Sequence, residues 1–198
     1  LPEKARQKAR IIRQQSMRMK NLINDLNLAS KLEYNVQPVK RQRTDLVALA
    51  RTVAVDFLNL DNAVDYPIVW NTADDTGPMI VYGDPDLLKR AMSNLITNAQ
   101  VHNPKGCTIE IEAKEEAEMY ALIVSDDGVG VTEDELRSIR SAPHYMVCDS
   151  STGEQRHGLG LLIVRQIAQA HGGKVVLDHS PRGGFLVKIL LLKDGEEI

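Results

Sequence analysis

The sequence predicts an α+β fold: an α/β sandwich in which a mixed, mainly antiparallel sheet is covered on one face by helices, preceded by a long N-terminal bundle or coiled-coil helix. In residues 1–35 apolar side chains recur every seven positions, whereas from residue 44 onward segments of helical period interleave with short alternating strands. Residues 1–43 hold 11 basic and 3 acidic residues, although the whole chain carries a net charge of −3. These observations predict two modules, at 1–37 and 44–198.

The first module reads as one long helix. Ala5, Ile12, Met19 and Leu26 fall seven residues apart, and Pro38 is expected to end the helix. These apolar residues form a seam along one side of the helix. Such a seam is typical of a bundle helix with a solvated basic face, which needs a partner from another copy or from a neighbouring segment. The charges do not favour a nucleic-acid or lipid surface, because the basic residues spread around the helix without interleaved aromatic residues.

The second module alternates helices and strands. Thr44 and Asp45 can cap a helix that runs to about residue 60, and the later elements are bounded by glycine, proline or charged turns. In order, these elements are strands at 67–71 and 79–82, a helix at 86–103, strands at 107–114 and 119–124, a short helix around Leu136, a mobile loop at 141–157, a helix at 158–170, and a hairpin at 174–178 and 185–192.

Composition points to a cytoplasmic domain. No run of about eighteen apolar residues appears, and the charged N-terminus does not resemble a signal peptide. Cys107 and Cys148 lie far apart and match no metal-ligand spacing, which favours free thiols in a reducing compartment.

Two asparagines are unusual within the helix at 86–103. Asn94 and Asn98 lie one turn apart on one face, although asparagine is a poor residue for a helix interior. A side-chain amide oxygen is a neutral, hard ligand, suited to a magnesium ion that keeps water and phosphate as its other ligands. This helix is therefore the first candidate site.

Two glycine-rich segments supply further candidates. DDGVG at 126–130 follows a predicted strand, so that Asp126 could accept a hydrogen bond from an exocyclic amine such as that of adenine, while its glycines let the backbone approach a ligand. HGLGLL at 157–162 opens a helix whose backbone N–H groups could face phosphate. Each pattern alone is weak, because a plain turn resembles the first, and the second is neither a P-loop nor a dinucleotide fingerprint.

The three segments in order, NLITNA (94–99), DDGVG (126–130) and HGLGLLIVRQIAQAHGG (157–173), resemble the ATP-binding domain of sensor histidine kinases. That domain belongs to the wider ATPase family shared with gyrase, Hsp90-type chaperones and MutL-type repair proteins. The resemblance covers about residues 44–193. RMKNLINDLNLASKLEYN (18–35) is similar to the second helix of the kinase dimerisation-and-phosphotransfer hairpin.

The resemblance implies a role for each matching residue. Asn98 corresponds to the magnesium ligand that bridges the ATP phosphates, and Asn94 to its neighbour on the phosphate side, so that these two are the expected catalytic residues. Asp126 corresponds to the adenine-reading carboxylate, with Gly128 and Gly130 shaping the pocket floor. The other implied nucleotide contacts are His102 (for which a solvated residue at the helix end is an equal alternative), Arg156, Gly158, Leu159, Gly160 and Leu161, with a lid at about 141–157.

The resemblance also implies an activity and partners. The γ-phosphoryl group of ATP would pass to a protein histidine and then to an aspartate of a response regulator. Residues 1–35 contain no histidine, so the acceptor is expected on a preceding helix. The full-length protein is expected to be a homodimer through the N-terminal helix, anchored in a membrane only by segments outside this chain.

Two departures from the family keep other functions open, and the residue at position 94 bears on the choice among them. Arg156 stands where the family often has a glycine, and the lid lacks its usual phenylalanine motif, which would suit a degenerate nucleotide-binding or protein-interaction module without kinase activity. ATP-hydrolysing relatives carry a glutamate base where Asn94 stands here. A carboxamide cannot take a proton from water, which favours phosphoryl transfer over the third possibility, an ATPase clamp. His171 and His179 are expected at the surface.

Overall fold

The structure is a computed structural model that describes residues 3–34, 36–59, 63–73, 75–141 and 159–193. Within these ranges lie five α-helices and seven strands. Their order is α1 (Glu3–Glu33), β1 (Gln42–Asp45), α2 (Leu46–Leu58), β2 (Ile68–Trp70), β3 (Ile80–Gly83), α3 (Pro85–His102), β4 (Ile109–Glu116), β5 (Met119–Asp126), α4 (Glu133–Ser141), α5 (Leu159–Ala170), β6 (Lys174–His179) and β7 (Phe185–Leu192), with a 3₁₀ turn at Ala63–Asp65.

The main sheet has five strands in the order β2-β4-β5-β7-β6. β2 pairs in parallel with β4, and every other neighbouring pair is antiparallel. A separate two-stranded antiparallel sheet joins β1 to β3. The predicted α+β class with a mixed, mainly antiparallel sheet is therefore confirmed.

One face of the main sheet packs against the helices. Alternate residues of its central strands, such as Ile111 paired with Val124, and Leu122 paired with Ile189, belong to the same buried cluster as α2, α3 and α5. This alternation follows from the two-residue period of a strand. The opposite face carries a smaller apolar cluster of Ala121, Ile123 and Leu190.

Polar side chains fix the start of three helices. Asp45 accepts a hydrogen bond from the backbone N–H of Val47 at the start of α2, as predicted. Asp84 accepts from two backbone N–H groups in the first turn of α3. Thr132 and Glu135 form a reciprocal capping box at α4, because the backbone N–H of each donates to the side chain of the other. These side chains fix where α2, α3 and α4 begin.

α1 contacts the rest of the chain through its C-terminal third. Ala29 and Leu32 are buried in the main cluster, and Asp25 forms an ion pair with Arg90 of α3. The predicted seam stays exposed, with Ile12 at 66% and Met19 at 62%. None of the helices in the described ranges has the length and apolar character needed to cross a bilayer.

One strand was not predicted, and one expectation about the fold is wrong. β1 was not predicted, because its residues Gln42–Asp45 show no apolar alternation and pair with β3 through the backbone. His171 is buried rather than on the surface: its Nε2 accepts from the N–H of Asp84 at 2.9 Å, and its Nδ1 lies 2.6 Å from the oxygen of Ile167. The predicted loop at 141–157 lies outside the described residues, apart from Ser141 in α4.

Candidate functional site

α3 has a buried apolar face and a half-buried polar face. Leu95 and Ile96 are 2% and 1% exposed in the core, whereas Asn94 and Asn98 are only partly buried. The difference follows from the helical period, which turns residues 95 and 96 toward the sheet and places residues 94 and 98 one turn apart on another side. The core face therefore fixes the position of both asparagines.

Asn98 touches the start of α5. A Cβ atom built on Gly160 would lie 2.6 Å from Oδ1 and 3.2 Å from Nδ2 of Asn98, so that any side chain at 160 would displace this amide. Glycine at 160 lets the first turn of α5 approach the amide. The predicted magnesium ligand and the predicted phosphate segment are thus direct neighbours.

Asn94 has an unused donor. Its Nδ2 atom is buried and has no hydrogen-bond partner among the described residues. A buried amide nitrogen without a partner is costly, and an anionic oxygen would satisfy it. This suits the expected place of Asn94 on the phosphate side.

Asp126 is tied to the end of α3 through Asn103. Asp126 is 7% exposed and Asn103 only 4%. Oδ1 of Asp126 accepts from the N–H of Gly128 at 2.9 Å and from Nδ2 of Asn103 at 3.3 Å. Oδ1 of Asn103 accepts from the N–H of Val129 at 2.9 Å. The DDGVG segment is therefore held against α3 by one buried amide.

The turn between β6 and β7 packs against the same segment. Gly130 has φ +67°, and a Cβ atom there would lie 2.6 Å from the oxygen of Gly183. A Cβ atom on Gly184 would lie 2.2 Å from the backbone oxygen of Asp126 and 2.3 Å from its Oδ1. Glycine at 184 is therefore needed for the turn to reach Asp126.

Two titratable side chains in or beside the DDGVG segment have shifted pKa values. Partial burial raises the pKa of Asp127, but hydrogen bonds from Thr108 and the charge of Arg182 outweigh it and leave that pKa below its usual value. Burial, aided by the charges of Asp126 and Asp127, raises the pKa of the Cys107 thiol to about 11. Asp127 thus stays ionised at neutral pH, whereas Cys107 stays a buried free thiol.

The first turn of α5 carries Leu159, Gly160 and Leu161. The first N–H groups of a helix have no partner within it and lie at the positive end of its dipole. Leu159 and Leu161 are partly buried and pack against the core, so their backbone is held in place. Gly158 and Arg156, which were predicted to act beside this turn, lie outside the described residues.

The described part of the chain brings most predicted residues to α3. Asn98 contacts Gly160 directly, and Asp126 with Gly128 reaches the same helix through Asn103. His102 lies at the exposed end of α3.

Sequence reasoning missed Asn103 and Gly184. Asn103 was read only as the end of a helix before Pro104, and Gly184 only as part of a turn. A polar residue at the last position of a predicted helix that carries site residues, directly before Pro104, was the available signal for Asn103.

The donor set has the chemistry of a magnesium site completed by phosphate. Within the described residues no group of three or more His, Cys, Asp or Glu side chains could hold a metal ion. The amide oxygen of Asn98 lies where the start of α5 could also present N–H groups to phosphate. Mg²⁺ commonly takes one or two protein oxygens and leaves its other positions to water and phosphate. Asn98 therefore fits this ion.

The chain resembles known proteins in sequence and in fold. Residues 83–195 match the family model described as histidine kinase-, DNA gyrase B- and HSP90-like ATPase. The sensor histidine kinase YvrG of Bacillus subtilis is 26% identical over 192 residues, which are 97% of this chain and 33% of that protein. The chain thus spans about a third of the length of this relative.

Solved structures share the fold. The histidine kinase AdeS of Acinetobacter baumannii aligns with a TM-score of 0.72 at 18% identity, over 98% of this chain and 86% of that one. Full-length ShkA, in complex with AMPPNP, aligns with a TM-score of 0.75 at 19% identity, over all of this chain and 41% of that one. With its family model, sheet and helix order in agreement, the chain belongs to the family of histidine kinase-, DNA gyrase B- and HSP90-like ATPases, as the ATP-binding domain of a histidine kinase.

Proposed function

We propose that this chain binds ATP with magnesium and transfers the γ-phosphoryl group to a protein histidine, from which it is relayed to a response-regulator aspartate. The observation that carries the proposal is the contact between Asn98 and Gly160, together with the hydrogen bond that ties Asp126 to the same helix. These contacts bring together an amide oxygen, a carboxylate and a helix N-terminus, which suit a magnesium ion, an exocyclic amine and phosphate respectively.

Each group has a separate task in this proposal. Oδ1 of Asn98 binds the magnesium ion, and the unpaired Nδ2 of Asn94 donates to a phosphate oxygen. The backbone N–H groups of Leu159, Gly160 and Leu161 donate to the phosphates at the positive end of α5. A bound magnesium ion would neutralise phosphate charge and orient the γ-phosphoryl group.

Asp126 would accept from the exocyclic amine of adenine. Gly128 and Gly130 leave the floor of the pocket without side chains, and Asn103 occupies the space that a side chain at 128 would need. His102 and Arg156 would contact the nucleotide from the end of α3 and from the lid. We propose 141–157 as that lid and 44–198 as the ATP-binding module.

Phosphoryl transfer is favoured over ATP hydrolysis by the residue at position 94. Activation of a water molecule needs a group that accepts its proton near neutral pH, and an amide cannot do so. Transfer to a histidine depends instead on positioning and on stabilising charge, which the Asn98 and α5 groups supply.

α1 would supply the connection to the acceptor. We propose residues 1–37 as part of the dimerisation and phosphotransfer hairpin, because the apolar seam that includes Ile12 and Met19 remains exposed and requires a partner helix. Two copies would pair through this helix. The parent protein would be a sensor anchored in a membrane with this domain in the cytoplasm, as the naming of the relatives as sensor kinases supports.

The test is transfer of label from [γ-³²P]ATP to histidine in the parent protein. We expect an acid-labile, base-stable phosphoprotein with the unchanged sequence, and at least about a hundredfold less with Asn98→Ala. Asn71→Ala is the matched control, because Asn71 is an exposed asparagine beyond β2 whose side chain donates to the Glu110 carboxylate and lies outside the proposed nucleotide contacts. Tight magnesium-dependent ATP binding without labelled histidine would contradict the kinase proposal and favour a degenerate module.

A further inference from the structure

Asn103 makes contacts that its place at a helix end does not require. It is the C-cap of α3, and its Nδ2 donates to the oxygen of Ala99 at 2.9 Å, which is a local capping contact. The same side chain also reaches Asp126 and Val129, which lie 23 and 26 residues further along the chain. A capping role explains the first contact and neither of the other two.

The contact with Asp126 fixes one oxygen of its carboxylate. Oδ1 of Asp126 is enclosed by Nδ2 of Asn103, by the N–H of Gly128, and by the α-carbon of Gly184, where a Cβ atom would lie 2.3 Å away. No described residue donates a hydrogen bond to Oδ2. The carboxylate is therefore fixed through one oxygen, and the other remains available as an acceptor.

The other end of the Asn103 amide holds the backbone beside that carboxylate. Its Oδ1 accepts from the N–H of Val129, and a Cβ atom on Gly128 would lie only 1.9 Å from this oxygen. One buried amide thus donates to the carboxylate and accepts from the glycine loop. A hydroxyl of similar size also donates and accepts, but from a single atom, whereas the uncharged amide places its donor and its acceptor on two separate atoms that reach Asp126 and Val129.

We infer that Asn103 is the positioning residue for adenine recognition, because it fixes Oδ1 of Asp126 and leaves Oδ2 to accept the exocyclic amine of the base. This inference rests on the proposed nucleotide-binding function. Asn103 need not touch the nucleotide. Its effect is to set the direction in which the Asp126 carboxylate accepts.

If Asn103 positions Asp126 in this way, replacing Asn103 should reduce the preference for ADP over IDP. The base of IDP carries a carbonyl oxygen where adenine has its exocyclic amine. Asn103→Asp keeps the size and the acceptor for Val129 but replaces the donor with a second carboxylate beside Asp126. We expect the unchanged chain to prefer ADP, and Asn103→Asp to lower the ADP-to-IDP affinity ratio by about tenfold or more, mostly through weaker ADP binding. A general loosening of the fold would weaken both nucleotides together.

The experiment is isothermal titration of ADP and IDP with magnesium on the whole chain. Asn71→Asp is the matched control, because it also removes an amide donor from a carboxylate, that of Glu110, at an exposed position, and it should leave the ratio unchanged. If Asn103→Asp does not fold by circular dichroism, Asn103→Thr replaces it, because its hydroxyl is too short to reach both Asp126 and Val129.

The outcomes separate the inference from the function on which it rests. A chain that binds neither nucleotide, or both equally, would contradict the proposed role of Asp126 itself. A chain that prefers ADP, and keeps this preference in a folded Asn103 variant, would overturn the role of Asn103 alone. A reduced ratio with IDP affinity within about threefold of the unchanged chain supports it.

Discussion

Replacing Gly160 with alanine tests whether Asn98 binds the metal ion, because the two residues touch. The added Cβ atom would lie 2.6 Å from Oδ1 and 3.3 Å from Cγ of Asn98. Since an unstrained contact between carbon and oxygen is roughly 3.4 Å long, Oδ1 must retreat by about 0.8 Å. The atom that must move is the end of a side chain rather than backbone, so the amide can turn while the helices stay in place.

The effect on folding should be small because two contributions oppose each other. Alanine is favoured over glycine in a helix by about 1 kcal/mol, whereas turning the amide away from its rotamer costs roughly 0.5–1.5 kcal/mol. We expect the free energy of unfolding to change by less than about 1 kcal/mol. The affinity for ADP with magnesium should fall by about 10- to 100-fold, as is usual when the arrangement around a metal is disturbed.

Two measurements separate these effects. Urea unfolding gives the stability, and calorimetric titration of ADP, with magnesium and with EDTA, gives the part of the affinity that depends on the metal. Gly77→Ala is the matched control, because, outside its chain neighbours, no described residue has an atom within 4 Å of the Cβ atom that it adds. A Gly160→Ala protein whose magnesium dependence equals that of the unchanged chain would refute Asn98 as the metal ligand.

Three further predictions concern other parts of the molecule. Burial lowers the pKa of His171 below its ordinary 6.5, so the unfolded chain takes up the proton first. The contribution of neutral His171 to the free energy of unfolding should be fully present above about pH 6.5 and decrease as the pH falls below it. Between pH 7.5 and 5.5, urea unfolding should therefore show a smaller loss of stability for His171→Gln than for the unchanged chain. Gly184→Ala should destabilise the chain by about 1–3 kcal/mol, because its Cβ atom would meet the backbone oxygen of Asp126 at 2.2 Å, and an unchanged urea midpoint would argue against this contact. Steady ATP hydrolysis by the chain should be negligible, and turnover that disappears with Asn94→Ala would instead indicate an ATPase clamp.

Elements whose signals are local could be predicted from the sequence. α3 follows from its apolar period together with Asp84 and Pro85 at its start, and α4 from the Thr132 cap. β4 and β5 follow from alternating residues on either side of a short charged turn. They pair as neighbours over Ile109–Glu116 and Met119–Asp126, which end two residues beyond the predicted strands at 107–114 and 119–124. In each case, residues within one or two turns of each other determine the structure.

Features that depend on distant partners could not be predicted in this way. His171 accepts a hydrogen bond from the N–H of Asp84, which lies 87 residues away in the sequence. Locally, a histidine followed by two glycines is typical of an exposed helix end. β1 is polar and becomes a strand only because β3 supplies its hydrogen-bonding partner. Such contacts arise from the packing of α5 against α3 and the pairing of β1 with β3, which no local period encodes.

The candidate site combines residues that a local sequence pattern predicts with residues whose contacts depend on distant parts of the chain. Asn94 and Asn98 are neighbours because a helix places residues four apart on one face, so their pairing was accessible from the sequence. Asn103 lies one residue beyond that helix, where the period ends and its contacts depend on how residues 126–130 turn. Because a fold brings its separate elements together at such ends, polar residues just outside periodic segments are where unrecognised positioning groups should be sought. In this chain that reasoning leads from the predicted pair on α3 to the amide that holds Asp126.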